Sequence, residues 1–175
     1  MVRKIEVVPY DQSWPIKFEE EKASLIDALP KELVVNVLHI GSTSVPRLAA
    51  KPIIDIALVV RNIEALDSYQ DEMLTLGYES WGEYGLPGRR YFPKGGDVRT
   101  HQIHAYQFDS LYELGRHVTF RDYLRVHPKV AEAYGRIKLQ AAAAHPTDID
   151  GYMDDKDEFV KKVEKEALLW LWKDK

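Results

Sequence analysis

Apolar residues recur along this chain with two different periods. Trp14, Phe18, Leu25, Ile26 and Leu29 fall on one stripe with Glu19, Glu20, Glu21 and Lys22 opposite, which predicts an amphipathic helix. Ser13 is placed to cap it and Pro30 to end it. Val34 to Ile40 is β-branched and predicts a strand, and Ile53 to Val60 predicts a second, buried on both faces and a neighbour of the first. Ile63, Leu66, Met73 and Leu74 mark another helix, closed by Gly77, after which Tyr78 to Trp81 would resume the sheet. Arg90 to Pro93 and Arg99 to Phe108 flank Lys94-Gly95-Gly96-Asp97, a hairpin signal. Ser110 and Glu113 read as a capping box for a helix from Leu111 to Val126, stopped before Pro128. Val130, Tyr134, Ile137 and Ala141, then Phe159, Val163, Trp170 and Leu171, keep helical spacing to the end. Neither a repeat nor a linker interrupts the pattern, so we expect one α+β domain over residues 1–175, a mixed sheet flanked by helices with a helical C-terminal region.

The 175 residues, 45% of them hydrophobic, suffice for a buried core. The absence of cysteine excludes disulfides, thiolate metal sites and thiol nucleophiles, and it fits a reducing compartment, so a cytoplasmic protein is expected. With 24 basic and 28 acidic side chains the net charge is −4, which argues against nucleic acid as a partner while leaving room for a local basic pocket. The longest apolar run, Ile53 to Val60, carries Asp55 and falls far short of the ~20 residues that a membrane helix needs. The N-terminal residues lack the apolar core of a signal peptide, so no membrane association is expected.

Candidate chemistry concentrates in His39-Ile40-Gly41-Ser42-Thr43-Ser44-Val45-Pro46 and the following Lys51-Pro52-Ile53-Ile54-Asp55-Ile56. Gly41 lets the backbone turn sharply, Ser42, Thr43 and Ser44 offer hydroxyl and N–H groups to phosphate oxygens, and Lys51 adds a positive charge. The span from Gly41 to Asp55 is long enough to return antiparallel or through a short helix, bringing the acid beside the turn. An ionised carboxylate in an apolar strand costs several kcal/mol, on the order expected for a buried charge, unless something compensates it. Asp55 therefore either pairs with Lys51 or an arginine, or caps the loop, or serves as a pocket acid. Period two places Ile53, Asp55 and Ala57 on one face. Arg89 and Arg90 follow Pro87-Gly88, where a guanidinium could project toward a phosphate or pair with a surface acid. Arg99 and His101 share a face of the inferred strand and could meet a phosphate together, whereas His101 and His104 point oppositely and make a poor chelate.

Several ordered blocks together resemble the GrpB-like (UPF0157) family. Besides the two segments above they are Val8-Pro9-Tyr10-Asp11 with Ser13-Trp14-Pro15, Pro87-Gly88-Arg89-Arg90-Tyr91-Phe92, Arg99-Thr100-His101 with His104, Phe120-Arg121-Asp122-Tyr123-Leu124-Arg125, and His145-Pro146. The resemblance implies a nucleotidyltransferase-like fold and a link to coenzyme A metabolism, since the family also occurs fused to dephospho-CoA kinase. In that superfamily a Gly-Ser turn precedes two acids spaced by one residue, and a third acid joins them to hold two magnesium ions. Here Gly41, Ser42 and Asp55 match, Ala57 replaces the second acid, and Arg47 stands where the family usually has Gly. Asp97 and Asp122 are the acids to inspect for a replacement. Arg121, Lys138 and Lys156 lie in matching regions and join the anion-binding candidates.

The expectation is thus a protein that binds a nucleotide or another phosphate-bearing small molecule, with nucleotidyl transfer as its potential reaction. Ser42 and Asp55 would be the reacting residues, and Asp55 would hold Mg2+ brought in with the nucleotide. The alternative is a noncatalytic anion-sensing or partner-supporting module, which the missing acid favours.

Overall fold

The β-branched run Val34–Ile40 forms β1 and Ile54–Val60 forms β2, paired antiparallel with Ile40 opposite Asp55. β3 (Arg90–Lys94) and β4 (His101–Gln107) make the hairpin expected around Gly95-Gly96. Because β4 lies parallel to β2, the sheet is mixed, in the order β1-β2-β4-β3. These elements come from a computed structural model that describes residues 3–173.

A parallel neighbour needs a crossover, and the chain supplies it with α2 (Ile63–Leu66) and α3 (Gln70–Thr75). α1 (Ser13–Ala28) buries Trp14, Phe18 and Leu25 in one cluster with Val37, Ile56, Leu58, Phe92 and Ile103, all on one face of the sheet. Each such side chain contributes roughly 1.5–3 kcal/mol by leaving water. Alternation then turns Asp55, Ala57, Gln102, His104 and Tyr91 to the opposite face. α4 (Leu111–Val126), α5 (Pro128–Ala144) and α6 (Ile149–Lys173) build a second cluster around Leu124, Tyr134 and Val163 that takes in Val45 and Leu48 from the β1–β2 connection. The architecture is α+β with a helical C-terminal region.

Four local expectations are corrected. Ser13 is the first residue of α1 rather than its cap, and Asp11 Oδ1 accepts from its N–H at 2.7 Å. Ser110 makes no side-chain bond to α4, and Glu113 turns to Arg116 at 3.0 Å instead of reaching back. The segment from Tyr78 to Trp81 runs beside β3 through single backbone bonds from Glu79 and Trp81 to Pro93 and Tyr91, without becoming a strand. The helix after Ile63 breaks at a 3-10 turn, Asp67–Tyr69, where Asp and Ser compete with backbone bonding. Among the described residues no helix is long and apolar enough to cross a membrane.

Candidate functional site

β1 ends at Ile40, and Gly41 then takes φ +72 into a single 3-10 turn, Ser42–Ser44. The carboxylate of Asp55 fills the space that a side chain on Gly41 would need. Arg121 Nη1 donates to the carbonyl of His39 at 3.1 Å and Arg125 Nε to that of Ser44 at 2.9 Å, so α4 fastens the turn from behind. Thr43 is turned away from Asp55. Its hydroxyl bonds His39 Nε2 at 2.9 Å, and the His39 ring stacks on Phe18 on the α1 side. Burial lowers the His39 pKa to about 4, which keeps that pair neutral. Ser42 faces α5, beside the phenol of the buried Tyr134.

On the other side of Asp55 stand polar groups from β4. His104, in register with Ala57, brings Nε2 to 3.4 Å from Asp55 Oδ1. The Gln102 amide, in the orientation that satisfies both of its polar atoms, donates to Asp55 Oδ1 at 3.0 Å and accepts from Arg99 Nη1 and the Tyr91 hydroxyl at 3.2 Å each. Arg99 also donates to Tyr91 at 3.1 Å, and its Nε is buried without a partner.

Three lysines face this acid from separate segments. Lys138 of α5 is 2% exposed, its Nζ makes no hydrogen bond, and it lies 4.5 Å from the centre of the Tyr134 ring. Lys51 and Lys156 of α6 both lie against the buried Tyr152 ring, at 5.1 and 5.2 Å. Burial and the neighbouring Lys156 lower Lys51 to about 8. Burial, with Lys156 and Lys51 beside it, pushes Lys138 well below the ordinary lysine range, and burial lowers Lys156 against the pull of Asp55. Desolvation thus acts on all three and repulsion from neighbouring lysines on Lys51 and Lys138, with Asp55 the carboxylate that opposes them.

Gly41, Ser42, Lys51, Asp55, Arg99, Lys138 and Lys156 therefore share one side of the sheet, and Arg121 supports the turn from outside. Arg90 and His101 do not join them. Strand alternation sends Arg90 to the α1 face, where it binds Asp67 at 2.8 and 3.1 Å, and His101 toward Glu21 at 3.9 Å. The expected common face of Arg99 and His101 fails because Arg99 precedes β4 and escapes its alternation. Arg89 stays on the Asp55 side but is tied to the carbonyls of Glu83 and Tyr84, at 3.2 and 2.7 Å, over the Tyr91 ring. Asp97 is exposed, and Asp122 binds Arg121 at 2.8 Å. Gln102, His104 and Tyr91 were not foreseen as neighbours of Asp55, because their place follows only from the register of β4 against β2 and β3. Arg3, which adds its charge beside Arg99, carries no sequence signal at all.

Among the described residues, no three His, Asp or Glu side chains gather as metal ligands. One carboxylate facing three lysines does not fit a metal held by protein alone. It fits a magnesium ion only where phosphates bring most of the oxygen ligands.

The sequence pattern of the family described as GrpB protein matches residues 4–166. UPF0157 protein YqkA of Bacillus subtilis (strain 168) is 45% identical over 168 residues, covering 96% of this chain and 48% of that protein, so the chain spans about half the length of that relative. The crystal structure of conserved protein GrpB from Enterococcus faecalis is similar with TM-score 0.91 and 51% identity, covering 95% of this chain and 99% of that one. Dephospho-CoA kinase of Mycolicibacterium paratuberculosis is 23% identical over 195 residues, covering 97% of this chain and 47% of that protein. With the family pattern spanning most of its length, the chain belongs to the GrpB family.

Proposed function

We propose that the protein binds a nucleotide or a related phosphate-bearing molecule between the Asp55 face of the sheet and helices α5 and α6. The observation that carries this reading is the Lys138 amine, buried with no hydrogen-bond partner. Leaving such a polar group unpaired costs about 1–3 kcal/mol, and holding it protonated needs more negative charge than Asp55 alone offers to three lysines. A phosphate chain supplies the missing negative charge. Lys51, Lys138, Lys156 and Arg99 would hold its oxygens, with Ser42 offering a hydroxyl at the turn. Asp55 would supply the protein oxygen for a magnesium ion riding on the phosphates, or orient an attacking group. The metal would polarise the phosphorus–oxygen bond in nucleotidyl transfer.

A second reading has its own observation. His104 stands in register with Ala57, where the two-acid pattern would require a carboxylate. A site so altered fits a noncatalytic anion sensor or a module that supports a coenzyme A enzyme, and the similarity to a dephospho-CoA kinase points the same way. The test begins with calorimetric titration of inorganic tripolyphosphate in EDTA, where saturable one-site binding that weakens with salt is expected. No saturable binding at millimolar ligand would remove the phosphate reading. Turnover of a labelled nucleoside triphosphate with magnesium and a panel of acceptors then separates the enzyme from the sensor.

A further inference from the structure

Beside the cationic cleft lies an aromatic cluster that phosphate binding leaves unused. The segment leading into β3 carries Trp81 and Tyr84, and β3 contributes Tyr91. Tyr84 stacks on Tyr91 with ring centres 4.9 Å apart, and Trp81 meets the two rings at 5.0 and 5.7 Å. Yet Tyr84 is 58% exposed and Trp81 38%, leaving aromatic surface that folding would ordinarily cover. Tyr84 is also held at φ 48, in the left-handed region, where a bulky residue carries strain of about 1 kcal/mol or more. The ring is displayed against its own backbone preference.

Arg99 connects this cluster to the phosphate site. Its guanidinium lies 5.2 Å from the Trp81 ring centre, donates to Tyr91, and reaches Asp55 through Gln102. Strands lie ~4.8 Å apart, so β3 stands about 10 Å from β2 across β4. That interval suits the distance from the phosphate chain to the base of an extended nucleotide.

We infer that Trp81 and Tyr84 form a stacking platform for the base of a nucleotide whose phosphates the lysines hold. The inference rests on the phosphate reading and narrows it to nucleoside phosphates, setting aside inorganic polyphosphates and sugar phosphates. Every base has a π-face, so the platform favours bases as a class. Arg89 stiffens the frame, its guanidinium over both tyrosine rings and tied to two loop carbonyls.

Calorimetry of adenosine triphosphate against inorganic tripolyphosphate, both in EDTA, tests the platform. Adenosine triphosphate carries no more charge than tripolyphosphate, so electrostatics alone cannot favour it. The wild-type protein should bind it about tenfold tighter or more, the gain expected from stacking a base on an aromatic side chain. Tyr84→Ala should erase that difference and leave tripolyphosphate affinity unchanged, while Tyr84→Phe should retain it. Equal wild-type affinities, or an equal loss of both ligands in Tyr84→Ala, would overturn the platform and leave the phosphate site standing. If neither ligand binds, both readings fall.

Discussion

An ideal Cβ on Gly41 would stand 2.7 Å from Oδ2 of Asp55 and 3.0 Å from its Cβ. The acid can sit against the turn because the turn has no side chain there. Gly41→Ala would add a clash to a left-handed backbone, φ +72, and should cost about 2–4 kcal/mol in a urea titration. Tripolyphosphate binding should fall with it. Unchanged stability would mean that Asp55 moves aside freely.

The same connection holds a residue with the opposite expectation. Arg47 is exposed and held at φ 70. Arg47→Gly should relieve that strain and, after the entropy that glycine loses on folding, raise stability by about 0.5–1 kcal/mol. A lower urea midpoint would show that the arginine side chain contributes more than its backbone costs.

Lys138→Met replaces the unpartnered amine with an apolar side chain that fills much of the same space. Ligand-free protein should gain about 1–3 kcal/mol, as when a buried unsatisfied polar group gives way to a well-packed apolar one, while tripolyphosphate affinity falls about tenfold or more. Destabilisation on thermal unfolding would instead assign Lys138 a structural role.

Stability should rise with pH between about 8 and 10, below the range in which Tyr78, Tyr134 and Tyr152, raised by burial, act in the opposite sense. Lys51 has a folded pKa of about 8 against an ordinary 10.5, and its surroundings are Lys156, Asp55, Arg3 and Arg99. Between those values the unfolded chain retains a proton that the folded chain has lost, so unfolding becomes less favourable as pH climbs and the Lys51 contribution is flat below about 8. Lys138 and Lys156 are shifted in the same direction. Polyanion affinity should move the opposite way, weakening above about pH 8 as the Lys51 ammonium is lost. Thermal midpoints across this window, with Lys51→Met flattening the slope, are the check. A slope that Lys51→Met leaves unaltered would exclude this lysine as its source.

Magnesium should bind the free protein weakly and a nucleoside triphosphate complex measurably, since the phosphates supply oxygens that Ala57 cannot. Asp55→Asn should remove the magnesium increment and, in EDTA, tighten tripolyphosphate binding by deleting a negative charge from the cleft. Tight magnesium binding without nucleotide would show that other acids complete the site. If Asp55→Asn alters neither ligand nor metal binding, the residue is structural.

Much of the sheet was legible because β-branched runs and a Gly-Gly turn are local signals, as β1, β2 and the β3–β4 hairpin show. The caps were misread because Asp11 takes the Ser13 N–H and Arg116 takes the Glu113 carboxylate, contacts that depend on geometry that sequence spacing does not carry. Asp55 beside Gly41 could be anticipated from one strand returning on another. Lys138 and Lys156 could be marked only through family resemblance, since charges on helices far along the chain look like ordinary solvated surface. Nothing short of the β2–β4 register could align Gln102 and His104 with Asp55 and Ala57. Trp81 read only as the end of a strand, and Tyr84, in a loop of no regular period, carried no signal of its own.

Lys51, Lys138 and Lys156 come from the connection before β2, from α5 and from α6, so like charges confront one another across a seam between layers. A polyanion lodged there would act as a rivet through all three pieces, exchanging repulsion for attraction at a single point. Whatever binds only the folded form also reinforces it. Cohesion between the sheet and its C-terminal helices would then come partly from the ligand, and protease resistance at the α5–α6 junction would serve as a gauge of occupancy.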